Sequence, residues 1–234
     1  MCIRDRSAAL RVVRPEPLGP HAATPWGLWR YRVDARRALV GGATSEGGNV
    51  LAWCRRHLAL PADPTALDAA LASAEPDGHG LTALPFLAGE RSPGWRPEAR
   101  AAVTGLSLGT GAVEITRALL EGVAFRLAEV YDRLRPLAPP DHIVVGTGGA
   151  LAHSSAWAQI VTDALGVPVA LGGDSEASAR GAALLALEAL GVAIPEAPTP
   201  LRVLQPSPAR HTRYRAARGR QRLLYDNIVG FNHS

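Results

Sequence analysis

Between His142 and Val169 the chain reads HIVVGTGGALAHSSAWAQIVTDALGVPV, and this stretch constrains the fold more than any other. A β-branched run, His142 to Val145, breaks on Gly146-Thr147-Gly148-Gly149-Ala150 and gives way to a helix-period segment opened by Ser154-Ser155. Gly166 stops that helix, and Val167-Pro168-Val169 restarts a strand. The pattern is strand, glycine turn, helix, strand. Adjacent glycines at a strand's end let the backbone take positive φ and let a flat ring or a phosphate approach without meeting a Cβ. A nucleotide would sit there, although the same letters also suit a plain turn joining strand to helix.

Neither common phosphate motif fits. A dinucleotide fingerprint needs a third glycine where Leu151 stands, and its acidic residue falls earlier than Asp174. A P-loop needs a lysine, and all 25 basic Lys+Arg residues of this sequence are arginine. The absence of lysine also excludes Schiff-base chemistry at a lysine.

The 234 residues suffice for one good core, or one domain with an appendage. A hydrophobic share of 47% with 20% charged residues is that of a globular chain. No apolar run reaches the length of a membrane span and no signal-peptide pattern opens the sequence, so a cytoplasmic protein is expected. Cys2 and Cys54 suggest neither a disulfide framework nor a metal site. The formal charge of +4 and a pI near 9.7 raise nucleic acid as a partner. The excess is concentrated in Arg202 and in Arg210 to Arg222, with little aromatic interleaving, which reads as the solvated face of a terminal helix; nucleic acid is therefore not expected.

In chain order, residues 1–6 show no periodicity and are read as foreign to the fold or disordered. SAALRVV from Ser7, WGLWRYRV from Trp26 and Ala38 to Val40 read as three strands of an antiparallel meander. Thr44 or Ser45 is expected to cap a helix through Val50, Leu51, Trp53, Cys54 and Leu58, weakened at Gly47-Gly48. Residues 61–100 form an insert with a short helix from Thr65 to Ala74. Its loop Gly89 to Trp95 suits either a substrate rim or a salt-bridged structural loop. Thr110 to Leu134 is the longest helical pattern, with its charges mostly off the apolar stripe. After the strand Val167 to Leu171, Asp174 or Ser175 can cap a last core helix reaching Leu190. Three antiparallel strands followed by strands alternating with helices predict an α/β fold, and a mixed five-stranded sheet covered by helices, the ribonuclease-H-like arrangement of actin- and hexokinase-type ATPase domains, is the expectation that periodicity alone leaves among several α/β candidates.

Several segments together resemble the FGGY carbohydrate kinases, specifically their C-terminal, nucleotide-binding domain. AAVTGLSLGTGAVEITRALLEGVAF, Ala101 to Phe125, is similar to the family's second signature, with Leu119 a minor departure. GTGGALAHSSAWAQIVTDALGVPV resembles the adenosine-binding segment, and EASARGAALLA the closing helix. GGATSEGGNVLAW and PFLAGERSPGW look most like gluconokinases. The resemblance covers about residues 7–190, placing the domain at 7–195 and a tail or helix at 196–234.

By this resemblance Gly148, Gly149 and Ala150 lie against adenine and ribose, His153 contacts the nucleotide, and Gly48 approaches it from the earlier helix. Ala52 stands where glycerol kinases often carry Gln, and Asp5-Arg6 where relatives have the Gly-Thr of a phosphate loop. The implied activity is ATP- and Mg2+-dependent phosphorylation of a sugar or sugar acid, gluconate first. The catalytic aspartate and most sugar contacts belong to an N-terminal kinase domain that this chain does not contain, so no catalytic or metal-binding residue is expected here, nor turnover by the chain alone. The alternative from another class is a non-catalytic nucleotide-binding module.

Overall fold

The structure is a computed structural model that describes residues 7–16, 23–172, 177–195 and 202–230. The first six residues and the capping position at Asp174-Ser175 lie outside the described residues.

Three antiparallel strands open the fold: β1 (Ala8–Pro15), β2 (Trp29–Arg32) and β3 (Arg37–Thr44). Their order is β1-β3-β2, not the sequential meander expected from the sequence. β3 takes the centre because it alone is long enough to match β1 from Ala8 opposite Thr44 to Pro15 opposite Arg37, and it is the most buried of the three. The β2–β3 turn is pinned by Asp34, which accepts from Arg36 N–H and Arg37 Nε, both at 2.7 Å. The Arg36 amide and the Arg37 guanidinium hold that carboxyl below its ordinary range.

Next come α1 (Gly48–His57) and α2 (Pro64–Ser73), the latter capped by Asp63, then the antiparallel pair β4 (Thr82–Leu84) and β5 (Ala102–Thr104). Leu67 and Leu71 of α2 join the main core, so this part of 61–100 is built into the body. α3 (Ala112–Leu134) follows, running into a short 3-10 turn at Arg135–Leu137. β6 (Val144–Gly146), α4 (Gly149–His153), α5 (Ser155–Leu165), β7 (Val169–Leu171), α6 (Ala177–Ala189), β8 (Arg202–Leu204) and α7 (Pro208–Ile228) complete the described chain. β7 pairs parallel with β6 and antiparallel with β8.

A single five-stranded mixed sheet is not confirmed. The described strands pair in groups of three, two and three, and β1 and β6 both line a cleft, each paired only on its other side. The α/β class stands.

α3 is the axis of the core. Sixteen of its 23 residues are buried, so it is enclosed on most sides rather than along one stripe. Leu120, Val123 and Leu127 share one core cluster with Trp157 and Ile160 of α5, Leu71 of α2 and Tyr214 of α7, while Val130 and Leu134 cluster with Val40 of β3 and with Leu28, which immediately precedes β2. Enclosure forces its charges into pairs. Arg117 Nε donates to Glu121 Oε1 at 2.8 Å, and the Tyr214 hydroxyl donates to the same oxygen at 3.0 Å. Leu81 N–H donates to His79 Nδ1, which leaves the other ring nitrogen to donate to Glu121 Oε2 at 3.1 Å.

α6 departs from expectation. None of its residues is buried: Leu184 and Leu187 are half-buried, and Leu185, with Leu190 just past the helix end, is exposed. It is tied to the first sheet by Glu188, which pairs with Arg37 at 2.6 Å.

Candidate functional site

The cleft has a volume of about 670 Å3 and is open to solvent. One wall is the start of β1, Ser7 to Arg11, with Gly47 and Gly48 beside it. The opposite wall is the end of β6 and the glycine turn, Val144 to His153.

The turn is shaped by one backbone conformation. Gly148 has φ 104° and ψ 152°, a region that side chains rarely adopt, and it precedes α4 directly. Gly148 C=O accepts from Ala152 N–H at 3.1 Å, and Gly146 C=O from Gly172 N–H at 2.9 Å. Behind the turn, Ser154 ends α4 and caps α5 by accepting from Trp157 N–H at 3.0 Å. Asp68, from α2, locks this junction. It accepts from the Ser154 hydroxyl at 2.5 Å, the Ser155 hydroxyl at 2.7 Å and the Ala156 N–H at 3.2 Å. Burial pushes the Asp68 carboxyl up, and these donors together outweigh it and hold the group below its ordinary range.

The first wall is set by Gly47, the N-cap of α1, where a Cβ would lie 2.8 Å from the backbone carbon of Ser7. Only glycine lets β1 pass this close. The expected caps Thr44 and Ser45 do not cap α1. Thr44 Oγ1 donates instead to the Glu46 carbonyl at 2.5 Å, and Asn49 Oδ1 accepts from Gly47 N–H at 2.7 Å. Glu46 is 2% exposed and points away into the protein, where its Oε1 accepts from Ala88 N–H at 3.0 Å. Burial pushes its carboxyl up to about 7, with the Glu90 charge adding to the rise and Arg126 opposing it.

All five site residues expected from the sequence, Gly48, Gly148, Gly149, Ala150 and His153, line this one cleft. The sequence reading missed Arg11, an exposed side chain on a strand whose alternation gave no hint of a site. Arg11 and His153 are the ionisable side chains among the described residues lining the cleft.

The loop Gly89 to Trp95 is ion-paired and hydrogen-bonded into the body of the domain. Glu90 is buried, ion-paired with Arg126, and accepts from the Tyr225 hydroxyl at 2.6 Å and from Gly94 N–H at 3.2 Å. Ser92 N–H donates to Ala43 C=O, and Trp95 Nε1 to Gly27 C=O. The ion pair holds the loop against α3, α7 and the first sheet. Cys54 is free and fully buried, and burial raises its thiol. Among the described residues no group of three or more His, Cys, Asp or Glu could hold a metal ion, and no helix is long and apolar enough to cross a membrane.

Strand, glycine turn and helix facing a second glycine-bearing helix start define an α/β domain with a glycine-lined cleft. Residues 5–190 match the FGGY family of carbohydrate kinases, C-terminal domain, and the chain belongs to that family. It is 29% identical over 195 residues to a gluconokinase of Bacillus subtilis, a match covering 79% of this chain and 37% of the relative. It is 36% identical over 159 residues to a glycerol kinase of Aromatoleum aromaticum, covering 68% of this chain and 32% of the relative. Its fold matches the crystal structure of a xylulose kinase from Rhodospirillum rubrum with a TM-score of 0.81 at 25% identity, over 98% of this chain and 47% of that one. The chain therefore spans about a third of the length of the curated relatives it matches.

Proposed function

We propose that the chain supplies the nucleotide-binding half of an ATP-dependent kinase that phosphorylates a hydroxyl of a sugar or sugar acid. The observation that carries this reading is the gathering of Gly48, Gly148, Gly149, Ala150 and His153, from two distant stretches, around one cleft. Its 670 Å3 lies within the range of about 300 to 1,000 Å3 typical of small-molecule sites. Side-chain-free backbone at Gly148-Gly149 suits the flat face of adenine, and Arg11 and His153 suit the negative charge of a polyphosphate.

Phosphoryl transfer depends mainly on positioning and charge stabilisation, which accounts for a site with little visible chemistry. This chain would bind and orient the nucleotide, while the acceptor and the aspartate that takes its proton belong to the remainder of the kinase. Magnesium, when bound, would neutralise charge on the phosphates. The described residues offer no cluster for the ion, so no residue here is assigned to it.

Gluconate is the proposed acceptor, supported by the gluconokinase-like segments GGATSEGGNVLAW and PFLAGERSPGW. Glycerol and xylulose are the alternatives, each favoured by a relative of that activity. Gly149→Val tests the nucleotide site by placing a branched side chain where the ring must lie. ATP affinity measured by titration calorimetry should fall more than tenfold, about 1.4 kcal/mol. Unchanged affinity in a variant with a native circular dichroism spectrum would remove the basis for the site.

A further inference from the structure

α4 is too short to hold its own shape. It has five residues, Gly149–His153, whereas an isolated helix shorter than about 12 to 15 residues is marginal in water. It nevertheless supplies Gly149, Ala150 and His153 to one wall of the cleft. Its start is fixed by the Gly148 conformation. Its end is set by Ser154, whose extended backbone, at φ −131° and ψ 106°, separates it from α5. The placement of this wall therefore depends on what holds Ser154.

That hold comes from outside the cleft. Asp68 stands on α2, 86 positions before Ser154, and among the described residues α2 contributes nothing to the lining. Its two carboxylate oxygens divide the junction between them. Oδ1 accepts from the Ser154 hydroxyl at 2.5 Å and the Ala156 N–H at 3.2 Å, and Oδ2 from the Ser155 hydroxyl at 2.7 Å and the Ser155 N–H at 3.2 Å. With its hydrogen committed to Asp68, the Ser154 hydroxyl turns a lone pair to the Trp157 N–H at 3.0 Å. The N–H groups of the first turn of α5, which have no partner within a helix, are thus satisfied at Ser155, Ala156 and Trp157. Negative charge at this end also complements the dipole of α5. Leu67 and Leu71 root α2 in the main core, so Asp68 is a fixed point rather than a loose surface acid.

We propose that Asp68 is a positioning residue of the nucleotide site, holding α4, and with it Gly149, Ala150 and His153, in the arrangement that receives ATP. It acts through Ser154 and Ser155 and lines no part of the cleft itself. The identity of the ligand rests on the nucleotide reading of the cleft, whereas the shaping of α4 by Asp68 does not. Without this carboxylate α4 is in place for only part of the time, and the apparent dissociation constant rises by the inverse of that fraction. A fraction of one-tenth weakens binding about tenfold.

The test combines ATP affinity, by titration calorimetry, with the backbone carbon chemical shifts of Gly149 to His153 in the ligand-free chain. In Asp68→Ala those shifts should move toward random-coil values and the Kd for ATP should rise about tenfold or more, while the shifts of α3 stay in place. Asp68→Asn keeps one acceptor oxygen and should fall between the parent and the alanine variant. Asp63→Ala is the control for stability: it removes the N-cap of the same helix, which accepts from the Thr65 and Ala66 N–H groups, and leaves the junction intact. It should lower the unfolding midpoint and keep the ATP affinity of the parent. Three results would each overturn the proposal: α4 shifts that do not move in Asp68→Ala, shifts that move without any loss of affinity, or an equal loss of affinity in Asp63→Ala, which would make Asp68 one more contact stabilising α2. A parent chain that binds no ATP would overturn the reading of the cleft instead, and the ligand-free shifts would still decide whether Asp68 shapes α4. If Asp68→Ala leaves α3 unfolded, Ser155→Ala, which removes one hydroxyl donor from the same carboxylate, gives a smaller change in the same two readings.

Discussion

Glu46 carries a carboxyl held far from its ordinary range. A carboxyl raised from 4.5 to about 7 keeps its proton in the folded state over a range where the unfolded chain releases it. Its contribution to stability is therefore full below about pH 4.5 and is lost as pH rises through 7. Glu46→Gln keeps an oxygen for the Ala88 N–H and has no proton to lose. Urea unfolding should show the variant more stable than the parent at pH 8 by roughly 3 kcal/mol, with the difference vanishing near pH 4. Equal stabilities at pH 8 would mean that water or a rearranged Arg126 solvates the ionised form. The glycines of the site were legible in the sequence because a run such as Gly146-Thr147-Gly148-Gly149 after a β-branched strand has few structural uses. Glu46 and Arg11 were not. An isolated acid before Gly47 and a base on a strand carry no period, and burial and orientation alone make them unusual.

Among the elements, α3 was read correctly in extent and only partly in environment. Arg117 and Glu121 stand at the spacing of an ordinary surface pair. What buries them are His79 and Tyr214, 42 and 93 positions away from Glu121, and no local pattern announces such partners. Leu120, 1% exposed at the middle of this helix, is the direct test of its place in the core. Leu120→Ala should destabilise the chain by about 2 to 5 kcal/mol in denaturant unfolding, and a loss below about 0.5 kcal/mol would show an exposed face. The strands that escaped the sequence reading, β4, β5 and β8, are three residues each, and unlike the equally short β6 and β7 they are not marked by a glycine turn and a helical pattern on either side. The centre of the first sheet was misassigned for a related reason: alternation identifies strands but not their neighbours, and β3 becomes central through its length and burial. Apolar spacing made α6 look like a core helix because composition cannot say whether a partner surface is present.

At the scale of the whole molecule, kinase chemistry needs an acceptor, a base and a phosphate brought into line, and misplacement by about 1 Å can cost roughly a hundredfold in rate. In a coupled assay with ATP, magnesium and gluconate, then xylulose and glycerol, this chain alone should give no turnover above background. Activity that survives repurification would place the catalytic groups within these residues and end the two-part reading. The fold class and family were legible because they depend on element order and signature segments distributed over the chain. The acceptor was not, since its contacts are expected outside the matched domain.

α7 carries six arginines, yet five of them are committed to carboxylates: Arg210 to Asp163, Arg213 to Glu75, Arg218 to Asp132, Arg220 to Asp77, and Arg222 to Glu129 and Asp226. The helix is thus fastened by its charge rather than advertising it. Chromatography on heparin separates these two uses of a guanidinium, because a sulfated polymer must compete with every carboxylate already engaged. Glu75→Ala with Asp77→Ala and Asp132→Ala frees three arginines of this helix, Arg213, Arg220 and Arg218. A control with Glu98→Ala, Asp141→Ala and Glu114→Ala changes the net charge equally at acids to which no arginine of α7 is paired. The first variant should elute at clearly higher salt than the control, and identical retention would show that a basic isoelectric point, not its placement, governs how this surface meets polyanions.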